Sequence, residues 1–205
     1  MTKYEDMLND VMPELQGCSV ELAVNALKNA CMELFQKSWI FTQELDPIPV
    51  VIGTSEYDLD APTGYRVVGV VSVYVDEAKV DPISESAMNR VSRRWKTDTG
   101  SISGYQMVGE NTLRVYRIPD ADGTLYVTVA LAPTIKSTGV ETFVHNLYSE
   151  GIAAGAKARL MAMPGKPFSA PDSSNMYRAQ FSSAISDAKW RARKSMVSSN
   201  LIVEL

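Results

Sequence analysis

Histidine occurs once and cysteine twice in these 205 residues. A zinc site takes about four nitrogen or sulfur ligands, so His145, Cys18 and Cys31 do not make one. The two thiols, with no further pair to join, are expected as small buried apolar side chains. No apolar run approaches the roughly 18 residues of a membrane span. The first stretch, MTKYEDMLNDVM, carries acids where an export signal carries bases. Synthesis in a cytoplasm, without membrane insertion or export, is the expectation. Repeats and low-complexity tracts are missing, as is a Gly-x-Ser-x-Gly elbow. DADG lacks the length and closing glutamate of a calcium loop. Neither a cofactor nor a metal is expected, and no catalytic residue is assigned.

An ordinary apolar fraction of 45% is present, enough in a chain of this length for a core without disulfides or metal. The net charge of −4 is unevenly spread. Twelve basic and twenty-one acidic residues precede Gly151, and eight basic and three acidic ones follow from it. An acidic body with a basic end suits head-to-tail self-association or docking onto an acidic partner.

Tyr4, Met7, Leu8 and Val11 share a helical face before Pro13 interrupts. A longer helix follows, with Ser19 as its cap, Glu21 in its first turn, and a stripe through Val20, Ala23, Val24, Leu27, Ala30, Cys31 and Leu34. From about Trp39 the pattern changes to short β-branched and aromatic runs bounded by Pro, Gly and Asp. A brief helix is expected in ISESAMNRVSRRW. Three strands follow, broken at Gly109-Glu110-Asn111 and Asp120-Ala121-Asp122-Gly123, which predicts a meander of two hairpins. Leu125, Val127, Val129 and Leu131 alternate onto one covered face.

The helical period returns near Val140. Phe143, Val144, Leu147, Gly151, Ala154, Gly155, Ala158, Met161 and Ala162 fall on one side. Tyr148, Ile152 and Met163 form a second strip, as in the middle helix of a bundle. Its Gly and Ala positions predict close helix approach. A last helix is expected after PFSAPD, with Asp172 or Ser173 as its cap and a stripe through Tyr177, Phe181, Ala184, Ile185, Ala188 and Ala192. The fold class is therefore α+β: a helical bundle of about four helices from both chain ends, with a β-rich antiparallel insertion. The expected divisions are bundle helices at 1–39, the insertion at 40–134, bundle helices at 135–195, and a tail or arm at 196–205.

Gly165-Lys166 invites comparison with a phosphate loop. It follows a helix instead of a strand, no second glycine stands five residues earlier, and Pro167 comes next. It is a corner. His145 is expected as a bundle histidine with its hydrogen bonds satisfied. The end of the last helix is richer: Trp190 falls among Lys189, Arg191, Arg193 and Lys194, away from the buried stripe. Tryptophan and arginine are the residue types enriched at interface anchors. Leu201, Ile202 and Val203 then form a short apolar run able to add as a strand to another chain. Trp190, Arg191, Arg193, Lys194, Leu201, Ile202 and Val203 are the candidate protein-binding residues.

AGAKARLMAMPGKPF with MYRAQFSSAISDAK, preceded by ALKNACMELFQKSWIF, EYDLDAP and WKTDTGSISGYQMVGENTLRVYRIPDADGTLYVTVAL, resembles head-to-tail adaptor (connector) proteins of short-tailed bacteriophages, in the same order over most of the chain. The resemblance implies a structural virion protein at the head-tail interface. It would form a homo-oligomeric ring, a dodecamer, beneath the portal protein, extend the DNA channel, and provide a platform for tail or nozzle proteins. Genomic DNA would pass without sequence-specific binding. By analogy, residues 190 to 205 would be the portal-docking arm. Two readings stay open beside it: a cell-wall glycan hydrolase using acids of the β insertion, and a nucleic-acid binder through residues 189 to 194.

Overall fold

The computed structural model describes residues 1–198, with side chains through Lys194. In chain order the elements are β1 (Thr2–Lys3), 3-10 helices Tyr4–Asp10 and Met12–Glu14, and α1 (Val20–Ser38). Then come β2 (Thr42–Glu44), β3 (Ile48–Val50), β4 (Glu56–Asp58), β5 (Tyr65–Val75), β6 (Ala78–Val80) and α2 (Glu85–Val91). The chain continues through β7 (Gly104–Met107), β8 (Thr112–Tyr116), β9 (Gly123–Pro133), β10 (Gly139–Val140), α3 (Thr142–Met161) and α4 (Pro171–Ser198). The fold is α+β. Two compact units divide it: Met1–Phe41 with the chain from Ala132 onward, and Thr42–Leu131.

The first unit is helical. Its opening segment winds as a 3-10 helix, yet buries Tyr4, Met7 and Val11. The Tyr4 hydroxyl and Ser137 Oγ lie 2.9 Å apart in a buried hydrogen bond. Ser19 caps α1, its Oγ accepting the Leu22 N–H at 3.3 Å. Trp39 closes α1 in the left-handed conformation (φ 57°), donating its N–H to the Phe35 carbonyl. Ala23, Leu27, Ala30, Cys31, Leu34 and Phe35 are buried, whereas Val20, expected on the same stripe, is exposed in the first turn and Val24 is half-buried; Cys18 and Cys31 are buried free thiols.

Helices α3 and α4 differ from the sequence expectation in two places. The α3 backbone leaves helical values at Tyr148 (φ −131°, ψ 20°), so its two halves do not share one continuous phase. Val144, Tyr148, Ile152, Ala154, Gly155, Ala158 and Met161 are buried, but Phe143, Leu147 and Ala162 are exposed. A single wheel drawn through the kink misplaces the first turns. The α4 start is also earlier than Asp172: Pro171 opens the helix, where its missing N–H costs nothing, and Asp172 sits in the first turn. Between them Gly165 takes φ +71°, a conformation glycine adopts freely, which makes this segment the corner its sequence suggests.

In the second unit β9 pairs with β2, β3 and β5, with β6 beyond β5, while β4, β8 and β7 form a separate sheet. The pair β7–β8 is the first expected hairpin. The second is not formed: β8 and β9 lie in different sheets, so the turn-rich Asp120–Gly123 segment connects sheets instead of closing a ladder. Turn chemistry specifies a reversal, not a partner. Leu125, Val127, Val129 and Leu131 are completely buried, and Tyr126 between them is exposed. A small cluster joins Met88, Trp95 and Tyr116 with Ile83. Trp95 is fixed there by its indole N–H donating to Asn89 Oδ1 at 2.8 Å.

Candidate functional site

The bundle positions the exposed end of α4 by close packing along its length. A Cβ on Gly151 would come within 2.5 Å of the Ala184 Cβ, and one on Gly155 within 2.8 Å of the Phe181 ring. Helices approach this closely only where side chains are absent. Ser174 Oγ donates to the Ala158 carbonyl at 2.7 Å, tying the start of α4 to α3. Arg159 adds three contacts: a 2.6 Å hydrogen bond to the Gly155 carbonyl, an ion pair with Glu33 of α1, and its guanidinium 5.3 Å from the Phe181 ring centre. Lys157 bonds Glu14 at 2.7 Å and lies 5.2 Å from the Tyr177 ring, whose hydroxyl also donates to Glu14. The hydrogen bond from Lys157 and the one from Tyr177 hold the Glu14 carboxyl below the usual glutamate range.

Toward its C-terminal end α4 turns Ala188 and Ala192 inward and presents the intervening charges outward. Trp190 is 60% exposed, which a residue with so much apolar area avoids unless something covers it. Lys194 Nζ lies 5.0 Å from its ring centre, a cation–π contact that fixes the indole face. Arg191 pairs with Asp187 one turn earlier at 3.0 Å, and Lys189 and Arg193 are exposed. Trp190, Arg191, Arg193 and Lys194 thus share one helix end. Leu201, Ile202 and Val203 lie outside the described residues.

Two acids of the second unit have structural partners. Asp76 (φ 52°) accepts the Thr124 N–H at 2.9 Å, and Glu56 pairs with Arg114. Asp46, Asp58 and Asp60 line one cleft, while Asp76, Asp120 and Asp122 line another. Among the described residues no three His, Cys, Asp or Glu side chains are grouped to hold a metal. No described helix is long and apolar enough to cross a membrane. His145 departs from expectation: its Nε2 is buried without a hydrogen-bond partner among the described residues. Sequence reasoning missed this, the Tyr148 kink, and the Glu14–Lys157–Tyr177 link. Only the kink had a signal, in the two conflicting apolar strips of α3.

A tightly packed helical scaffold that displays an indole among cations has the anatomy of a contact-making, structural protein. The chain belongs to the family described as SU10 adaptor protein, whose model matches residues 2–204; these are structural head-tail adaptors of phage virions. No curated protein matches the chain.

Proposed function

We propose that this adaptor forms a ring of identical subunits, a dodecamer of the short-tailed type, beneath the portal. The ring extends the DNA channel and carries tail or nozzle components. The observation that carries this reading is the exposed Trp190 with Lys189, Arg191, Arg193 and Lys194 around it at one end of α4. Exposed acids stand on the first 3-10 helix at Glu5, Asp6 and Asp10. Unlike surfaces of opposite charge suit the heterologous contact that closes a ring. The acidic excess before Gly151 suits a channel that passes DNA without gripping phosphates. Residues 196 to 205, with Leu201, Ile202 and Val203, serve as the arm that reaches the portal.

Mass measurement of the purified protein, alone and mixed with portal, tests the reading. A subunit multiple that adds to the portal supports it. A monomer indifferent to the portal, and missing from mature particles, refutes it. The same preparation assayed on cell-wall glycan should give no clearing, because ring-building needs no bond cleavage.

A further inference from the structure

The second unit carries a charged feature that the ring reading does not use. It holds thirteen acidic and eight basic residues, and four of the eight, Arg90, Arg93, Arg94 and Lys96, fall within seven consecutive positions. All four are exposed. None pairs with an acid among the described residues, although Glu85 and Asp98 flank them in sequence. The backbone beneath them is fixed. Ser84 caps α2, its Oγ accepting the Ala87 N–H at 3.3 Å. Past the helix, Ser92 Oγ accepts the Arg94 N–H at 3.1 Å, and the Arg94 carbonyl accepts the Thr97 N–H at 2.8 Å. Trp95 pins this turn from inside: it is buried with Met88 and Tyr116, and Lys96 Nζ lies 5.3 Å from its ring centre. One aromatic thus belongs to the core while the cations on either side of it are exposed.

We infer that this segment is a contact for the phosphate backbone of duplex DNA, independent of base sequence. The composition of its exposed surface decides the partner. A protein interface buries an aromatic or aliphatic anchor inside a polar rim. Here the tryptophan is buried, and Val91 is the one large apolar side chain exposed between residues 85 and 97. Three of the four cations are arginine, whose planar fork matches phosphate oxygens. A patch of one sign with no exposed aromatic suits phosphates, which need charge and no apolar anchor. The Trp190 end of α4 is the opposite case, an exposed indole among cations. Four phosphate contacts are few, and the acids on the rest of the unit repel the duplex. The segment therefore touches a passing duplex without holding it. The ring reading assigns no residue to the DNA, and this contact does not depend on it.

Fluorescence anisotropy of a short labelled duplex, titrated with the full chain to about 100 μM over a salt series, tests it. Four phosphate contacts give a slope of log K against log salt of about −3.6, so affinity falls about 150-fold between roughly 50 and 200 mM salt. Arg93→Gln with Arg94→Gln should halve that slope to about −1.8, and Arg90→Gln with Lys96→Gln should do the same. Since all four side chains are exposed, the thermal melts of both variants should match the parent, and the second pair keeps the test open if the first disturbs the turn. Lys189→Gln with Arg193→Gln, at the end of α4, should leave the slope as it is. A duplex of unrelated sequence should bind equally. Absence of binding at the lowest salt would overturn the inference. So would a slope that neither pair near α2 changes, or one lost only with the α4 pair. Loss of the subunit multiple with DNA binding intact would give the segment to a second copy and overturn it too. The mass of the unaltered protein is scored separately, so failure here leaves the ring reading standing.

Discussion

Replacing Gly151 by alanine separates packing from helix propensity, because the two oppose each other at this site. Alanine is the better helix former by about 1 kcal/mol, so an unpacked helix would gain stability. Here the new methyl would fall 2.5 Å from the Ala184 Cβ, whereas carbon atoms settle at about 3.5–4.0 Å. Neither methyl can rotate away, since each is fixed to a helix backbone. The helices must separate by about 1 Å, and overpacking of this kind costs about 1–3 kcal/mol. The net expectation is a loss of up to about 2 kcal/mol, or a fall in Tm of up to roughly 4–8 °C for a chain of this size. Urea unfolding of Gly151→Ala, Ala184→Gly and the double variant closes a cycle whose coupling term should be about 1–3 kcal/mol, favouring the double variant. A Gly151→Ala protein stabilised by about 1 kcal/mol, with no coupling, would refute the close approach of α3 and α4.

Arg159→Ala should destabilise the bundle by about 1–3 kcal/mol in the same assay, since a charged hydrogen bond, an ion pair and ring contact go together. Tyr4→Phe should cost about 1–2 kcal/mol, because it leaves the buried Ser137 hydroxyl without its partner. Burial pushes the Cys31 thiol from its ordinary 9.0 up to about 12, and pushes the Tyr4 phenol upward too. An acid whose folded pKa is raised leaves the unfolded chain with fewer bound protons above the ordinary value, so stability falls with rising pH. Between about pH 9 and pH 12, Cys31→Ala should make that fall in stability with pH shallower. An unchanged slope by denaturant titration would contradict the buried thiol. Removing residues 196 to 205 should leave the thermal melt of the bundle in place and weaken portal attachment; loss of folding would put that segment in the core.

Helix periodicity and caps carried most of the helical unit. The Ser19 cap and the buried face of α1 follow from side chains at three- and four-residue spacing, which local sequence records directly. The small residues of α3 likewise announced close packing. Strand pairing was less legible, because β8 and β9 each read well as strands while their ladder partners are set by long-range register. A reversal at Asp120–Gly123 looked the same whether it closed a hairpin or joined two sheets. The Tyr148 kink lay hidden because a wheel assumes one phase, although two apolar strips on one helix marked the inconsistency. At the candidate site, the Trp190 cluster was visible as composition. The Glu14–Lys157–Tyr177 link was not, since its members are distant in sequence and meet only through helix packing.

Imaging of the head-tail junction in intact particles bears on the central claim most directly. A ring of density immediately beneath the portal, into which copies of the α1–α3–α4 bundle fit with Trp190 at a protein contact, is the predicted result. A junction built wholly from other chains, with this protein missing from the particle or Trp190 facing solvent in every copy, would contradict it.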